Sequence, residues 1–435
     1  MSKEGLVLNN EREERGDRWG GDSRRNTYSN SNARPYKPRE NGEEKEQEPV
    51  EDNYDPSYEI NNWDDLDIPT DLLRGIYGYG LEKPSPIQCK SISPILKKKD
   101  IIAQAQSGTG KTASFTVGAL ASVKLDENST QVLVLSPTRE LSIQIADVMR
   151  NIGSLLTGLR VKLLVGGTSI DDDISDLKTN VPHVVVGCTG RIYDMIRRNH
   201  LKSSTINMVV LDEADEMLAS GFKEQVYNIF QYFSPTVQVV LFSATMPEYM
   251  RHITSKFMRN PVRVSVKAES LTLEGIQQYF VAVEDDRQKY ATLKDLYSFM
   301  SMSQCIIYCN SVKRVADLYD AMAGDGFPVC CIHSNMDKSA RDIAFADFRN
   351  GKYRVLISSN VTARGIDIQQ VSCVINFDCS KCVHTYLHRI GRSGRWGRKG
   401  VGINFVTRRD VQKIREIEQF YSTQISELPA NFQSV

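Results

Sequence analysis

Two doubly wound α/β lobes with parallel sheets, joined by a short linker and preceded by a charged tail, are the architecture this sequence predicts. Three observations lead there. Short, fully apolar runs recur from Trp63 onward, each followed by a polar or glycine-rich cluster and then a helical pattern. Runs of that kind, separated by helices, mark strands buried on both faces. The residues able to do chemistry fall just after the runs, where open α/β sheets place their ligands. The runs also form two sets with a polar interval between them, as two lobes require.

The bulk numbers bound the answer without deciding it. A chain of 435 residues can build two cores. Fifty-four basic residues balance 54 acidic ones. That counts mildly against a nucleic-acid binder but leaves room for a local cationic groove. Among the apolar runs none is long enough to span a membrane, and the polar N-terminus does not resemble a signal peptide. Nine scattered cysteines suit a reducing interior better than a disulfide framework.

Residues 1–58 come first. They lack apolar periodicity, with arginines and glycines ahead of an acidic stretch, and are expected to form a disordered charged tail. The tail is either solubilising or, through its Arg/Gly half with Trp19 and Tyr28, a weak RNA contact.

The first lobe is read over residues 59–266. Its opening strand, "DIIAQ", runs into Ala105, Gln106, Ser107, Gly108, Thr109, Gly110, Lys111 and Thr112. These fit the phosphate loop G-x-x-x-x-G-K-[ST], with Ala105 in place of the first glycine. Glycines let backbone N–H groups close round phosphates, Lys111 adds a point charge, and the Thr112 hydroxyl can hold Mg²⁺. The plain alternative is a Gly/Ser turn between strand and helix, and the loop by itself leaves ATP and GTP both open. The runs "VLVLSPT", "HVVVGCTG", "MVVLDEAD" and "VVLFSAT" follow. Asp212, at the end of the third, is placed to hold Mg²⁺ through water, and Glu213 to act as general base. An acidic helix N-terminus is the competing reading. Residues 267–277 are read as the linker. The second lobe, 278–435, carries "CIIYCNS", "VLISSN", "CVINFD" and "VGINFVT".

Taken together, "AQSGTGKT", "VLDEAD", "SAT" and "HRIGRSGR" resemble the motifs of the DEAD-box RNA helicases, in order and spacing, over nearly everything from Trp63 to the C-terminus. Within that family "LLRGIYGYGLEKPSPIQ", "DEADEMLASGFKEQ", "SLTLEGI" and "GRKGVGINFV" are most similar to the translation-initiation branch and its exon-junction relative. The resemblance implies two RecA-like domains, ATP and Mg²⁺ as cofactors, and RNA unwinding coupled to lobe closure; an ATP-locked RNA clamp is the alternative. It implies that Gln88 reads adenine, that Asp367 reaches the ribose, and that Arg392 and Arg395 are arginine fingers. Ser243, Ala244, Thr245, His388 and Arg389 would couple the motifs. Sequence-independent RNA contacts would come from Pro137, Thr138, Arg139, Glu140, Gly166, Gly167, Thr189, Gly190 and Arg191. On the second lobe they would come from Arg314, Arg341, Thr362, Arg364 and Gly365. It further implies a monomeric core, an initiation-scaffold partner with helical repeats, no membrane, and a cytoplasmic location with the nucleus as alternative.

Several positions depart from the family pattern. Leu81 stands where an aromatic is usual, Cys188 and Thr189 where threonine and proline are, Ser334 and Lys338 where glycine and glutamine are, and Ser359-Asn360 replaces a pair ending in a carboxylate. The set Cys379, Cys382, His384 and His388 has a superficial zinc spacing, but one CxxC without a second pair is a weak signal. Tyr308 and Tyr386 are expected in the core.

Overall fold

The structure, a computed structural model, describes residues 54–106, 108–219, 221–266, 275–299, 304–360, 371–393 and 400–429. Ser107, Thr362, Arg364, Gly365, Asp367 and Arg395 lie outside the described residues, as do 1–53 of the expected tail and 267–274 of the expected linker.

The first lobe is built on β1 (Ile101–Gln104), β2 (Val132–Ser136), β3 (Val161–Leu164), β4 (Val184–Cys188), β5 (Met208–Leu211), β6 (Gln238–Ser243) and β7 (Val262–Ser265). They pair in parallel in the order β3-β4-β2-β5-β6-β1-β7. Successive residues of β2 point to opposite faces: Val132 and Val134 enter one hydrophobic cluster, Leu133 and Leu135 the other. Apolar side chains are therefore needed at every position, which is why the run reads as continuous rather than alternating.

The second lobe repeats the plan with β8 (Ile276–Ala282), β9 (Cys305–Tyr308), β10 (Val329–Ile332), β11 (Val355–Ser358), β12 (Cys373–Asn376), β13 (Gly400–Val406) and β14 (Ser426–Glu427). The order is β10-β11-β9-β12-β13-β8-β14, again parallel. Tyr308 and Tyr386 are fully buried in its core.

The boundaries shift in two places. Tyr54 and Tyr58, inside the stretch read as tail, pack on the first core with ring centroids 6.3 Å apart. Lys90 and Lys97 place ammonium groups over these rings at 5.7 and 4.4 Å. Strand β8 begins at Ile276, inside the interval read as linker. Strands β3, β7, β8, β10 and β14 escape the run criterion. Of these, β3, β7, β10 and β14 are sheet edges; in β7 Val262 and Val264 are buried while Arg263 and Ser265 are half-exposed, so its pattern alternates.

Register brings the chemistry to one edge. Gln104 of β1 pairs with Ser243 of β6, and Leu135 of β2 with Leu211 of β5. The segments that follow all emerge at the carboxyl ends. Beneath them Phe115, on the helix Lys111–Ser122, meets Phe242 of β6 at 5.5 Å. Phe242→Ala is expected to destabilise the first lobe by about 3–5 kcal/mol, read as an earlier urea midpoint; an unchanged midpoint would show that this pair does not support the phosphate-loop side of the sheet.

Candidate active site

The loop after β1 curls because Gly108 and Gly110 adopt φ of 84° and 95°. Gly110 has a second constraint. A Cβ there would stand 2.5 Å from Gln88 Nε2 and 3.1 Å from Ser85 Oγ. Gln88 Nε2 donates to Gly110 O at 3.2 Å, and its Oε1 accepts from Ser85 N at 2.7 Å. Ser85 Oγ donates to Thr109 O and Thr109 Oγ1 to Gln106 O, both at 2.7 Å. Gln88 thus lies buried against the loop and shapes it, leaving one carboxamide N–H and one oxygen lone pair for a ligand. Ala105 fills the place of the missing glycine, its N–H donating to Ser243 O at 3.1 Å.

Lys111 opens the following helix. Its ammonium is buried and makes no hydrogen bond among the described residues; Glu213 Oε1 stands 3.6 Å away. Such a group asks for an anion. Thr112, next in the helix, is half-buried. A loop of backbone donors around an unbonded buried ammonium fits the phosphates of a nucleotide.

Asp212 and Glu213 follow β5. Glu213 sits at φ 51° and ψ 51°, a left-handed conformation that costs a non-glycine residue about 1–3 kcal/mol. Its N–H donates to Asp212 Oδ1 at 3.0 Å. Burial, and then the neighbouring Glu213 carboxylate, push the Asp212 carboxyl up to about 7, with Lys111 opposing. Paired carboxylates in a dry pocket form a donor set suited to a hard cation such as Mg²⁺.

Asp215 gathers the remaining motifs. Its N–H donates to Ser243 Oγ at 3.3 Å, and its Oδ2 accepts from Thr245 Oγ1 at 2.9 Å. Ser243 Oγ in turn donates to Thr245 O at 2.7 Å, while Ala244 is buried between them. From the second lobe His388 brings Nε2 to 3.0 Å from Asp215 Oδ2. One ligand-type atom from each of Glu213, Asp215 and His388 lies within 4.8 Å of the others. His388 and Arg389 end the helix Val383–Ile390, and the buried Arg392 follows it, with Nε donating to His388 O at 3.1 Å.

The expected RNA contacts fare unevenly. Gly166, Gly167 and Gly190 are exposed. Pro137 is buried, and Thr138 caps the helix Arg139–Ile152 through a 3.3 Å bond from Leu141 N. Thr189 is buried and donates to Gln225 Oε1 at 2.6 Å. Arg191 pairs with Asp173 and bonds Thr168 Oγ1 and O at 3.1 and 2.9 Å, bracing the Gly166-Gly167 loop. Across the lobes, Arg139 meets Asp342 at 3.0 Å and Arg341 pairs with Glu140. Arg314 bonds Asp378 and Asp286 inside its own lobe, at 3.0 and 3.1 Å.

Sequence reasoning missed Asp215, Gln225, Asp173 and Asp342. For Asp215 the signal was present, as the last letter of the acidic run; a lone Gln225 carries none. The zinc-like set does not converge. Cys379 is in the core, Cys382 accepts from Thr385 N, His384 lies edge-on to Phe420, and His388 faces Asp215.

Comparison with known proteins agrees with this geometry. The DEAD/DEAH box helicase family matches residues 85–253, and the helicase conserved C-terminal domain matches 288–397. The ATP-dependent RNA helicase eIF4A of Debaryomyces hansenii is 51% identical over 382 residues, 88% of this chain and 95% of that protein. The Candida albicans protein of the same name is 50% identical over 382 residues, with the same coverage of each chain. S. cerevisiae Dbp5 bound to RNA and ADP BeF3 superposes with a TM-score of 0.79 at 32% identity, over 86% of this chain and 96% of that one.

Because the folded Asp212 carboxyl holds its proton more tightly than an unfolded one, ionising it costs stability. Its contribution is full below the ordinary value of 3.8 and is lost as pH rises through about 7. Asp212→Asn should therefore raise the melting midpoint of the nucleotide-free protein at about pH 8, with a smaller gain at about pH 5. A gain independent of pH would contradict the assignment.

Proposed function

This chain belongs to the DEAD-box RNA helicases, and from that premise we propose that it couples ATP binding and hydrolysis to closure of its two lobes on single-stranded RNA, prying apart short duplexes in translation initiation. That it is an ATP-dependent RNA helicase of the eIF4A type follows from its relatives. The observation that carries the proposed coupling is the Asp215–His388 bond, which ties the carboxylate run of one lobe to the arginine-bearing segment of the other.

In this reading Gly108, Gly110 and Lys111 receive the phosphates, and Gln88 uses its remaining donor and acceptor on adenine, favouring ATP over GTP. Asp212 and Thr112 would hold Mg²⁺, which when bound supplies charge neutralisation between phosphate oxygens and carboxylates. Glu213 takes the proton of the attacking water. Arg392, joined by Arg395, stabilises charge developing on the transferred phosphoryl group, and Asp367 holds the ribose from the second lobe. Such fingers are worth roughly 10³–10⁵ in rate. Since Arg392 and Lys111 belong to different lobes, hydrolysis waits for closure. Ser243, Thr245 and His388 transmit the state of the site through Asp215.

RNA lies along the exposed Gly166, Gly167 and Gly190 backbones, with Thr362, Arg364 and Gly365 of the second lobe as further contacts by motif. Contacts to phosphate and sugar carry no base sequence. That S. cerevisiae Dbp5, similar in fold, is bound to RNA and ADP BeF3 supports RNA and nucleotide as joint ligands. A role in initiation implies a cytoplasmic chain, a monomeric core, and a scaffold partner with helical repeats that holds both lobes.

Two measurements test the reading. Glu213→Gln should lower RNA-stimulated ATP turnover by roughly 10²–10⁴-fold while ATP-dependent RNA retention persists; wild-type turnover in that variant, or an unmodified ATPase indifferent to RNA, would refute it. Glu140→Arg and Arg341→Glu should each weaken closure by about 1.5 kcal/mol or more, roughly tenfold in the RNA needed. The double exchange should recover much of it, as followed by energy transfer between dyes on the two lobes. No recovery would mean that the pair does not stabilise the closed form.

A further inference from the structure

Three cations meet where the Gly166-Gly167 loop of the first lobe faces the helix Lys338–Arg349 of the second. Two are neutralised. Arg139 pairs with Asp342 and donates to Gly166 O at 3.4 Å, and Arg341 pairs with Glu140. The third, Lys338, has no carboxylate within 4.0 Å and no hydrogen bond among the described residues. Its stem lies beside Gly167: a Cβ built on that glycine would stand 3.6 Å from Lys338 Cδ and 4.0 Å from its Cβ.

The loop opposite is equally prepared. Gly167 holds φ 81°, a conformation favouring glycine, and both glycines are exposed. Their N–H groups make no hydrogen bond among the described residues. Arg191 and the Thr168 hydroxyl, which donates to Val165 O at 2.9 Å, keep the loop from collapsing. Bare amides on one side and an uncompensated ammonium on the other make a receptor for one compact anion.

We propose that Lys338 and the Gly166-Gly167 amides together hold one phosphate of the RNA strand across the junction of the lobes. This rests on the reading that the lobes close on RNA. Since the donors come from both lobes, the contact forms only in the closed state. The two arginines, by contrast, act on closure itself. An ammonium serves this place because a point charge follows a phosphate without the fixed geometry of a guanidinium.

The test uses the full chain and a short fluorescein-labelled oligouridylate, titrated over a range of salt with and without a non-hydrolysable ATP analogue. With the analogue, Lys338→Gln should reduce the slope of log affinity against log salt by about 0.7, which is about fivefold in Kd at ~0.1 M salt. Lys338→Arg should retain the slope, and without nucleotide Lys338→Gln should match the unmodified chain. Equal slopes for Lys338→Gln and the unmodified chain with the analogue would overturn the inference alone, as would an equal loss with and without nucleotide. If the unmodified chain bound RNA no better with the analogue, the closure reading would fall and this inference with it.

Discussion

One buried carboxylate sets the terms for the rest of the molecule. Asp215 is 4% exposed, yet its groups reach several segments: Ser243 through its N–H, Thr245 and His388 through Oδ2, and the Tyr249 hydroxyl through its carbonyl at 3.1 Å. A buried carboxylate is costly unless its oxygens are bonded. Withdrawing His388 removes one of those bonds, so separation of the lobes requires water to enter beside the acidic run. The nucleotide edge of one lobe and the arginine-bearing helix of the other are thereby linked through a single side chain.

The same accounting explains why the phosphate side needs so many cations. Lys111 is one ammonium set against Asp212 and Glu213; burial first, and then the Glu213 carboxylate, raise the Asp212 carboxyl. A triphosphate adds further negative charge to this pocket. Lys111 cannot balance it alone, which is the physical argument behind the proposed divalent ion on the carboxylate side and the proposed arginine from across the cleft. Glu213, strained into a left-handed conformation, is aimed by the backbone rather than by rotamer choice. Its position is therefore less free to drift as the nucleotide changes.

Much of this was legible in the sequence because buried parallel strands leave no choice of residue. Continuous runs such as "MVVL" and "VVLF" marked strands, and the residues directly after them marked the site. Alternating edge strands such as β7 were not legible, since Val262, Arg263, Val264 and Ser265 satisfy a half-exposed loop equally well. Among the described residues, Ala105, Asp212 and Ser243 stand at the carboxyl ends of their strands, where the runs place them, but their partners were not readable. Nothing near Arg139 or Arg341 in the chain announces that Asp342 and Glu140, some two hundred residues away, neutralise them. Residue type indicated phosphate binding; geometry indicates ion pairs between lobes. Arg191 shows the same limit, its guanidinium turned inward to Asp173.

Arg389 shows what a departure from the family pattern does. The side chain is fully buried and donates to Asn360 Oδ1 twice, at 2.9 and 2.7 Å, to Asn310 Oδ1 at 2.7 Å, Asn376 Oδ1 at 3.1 Å and Asp378 O at 2.9 Å. Every one of these acceptors is neutral. The face of Tyr308, 5.2 Å away, adds a diffuse attraction, while the Asp378 carboxylate is engaged with Arg314 and the Asn310 N–H. Burial accordingly draws the guanidinium below its ordinary value. Asparagine at position 360 therefore preserves the hydrogen bonds and gives up the charge compensation. The bonds are directional and fix the helix that carries His388 and leads into Arg392; compensation is not directional and affects mainly the stability of the lobe. The coupling geometry thus survives the substitution, and its energetic consequence is confined to the second lobe.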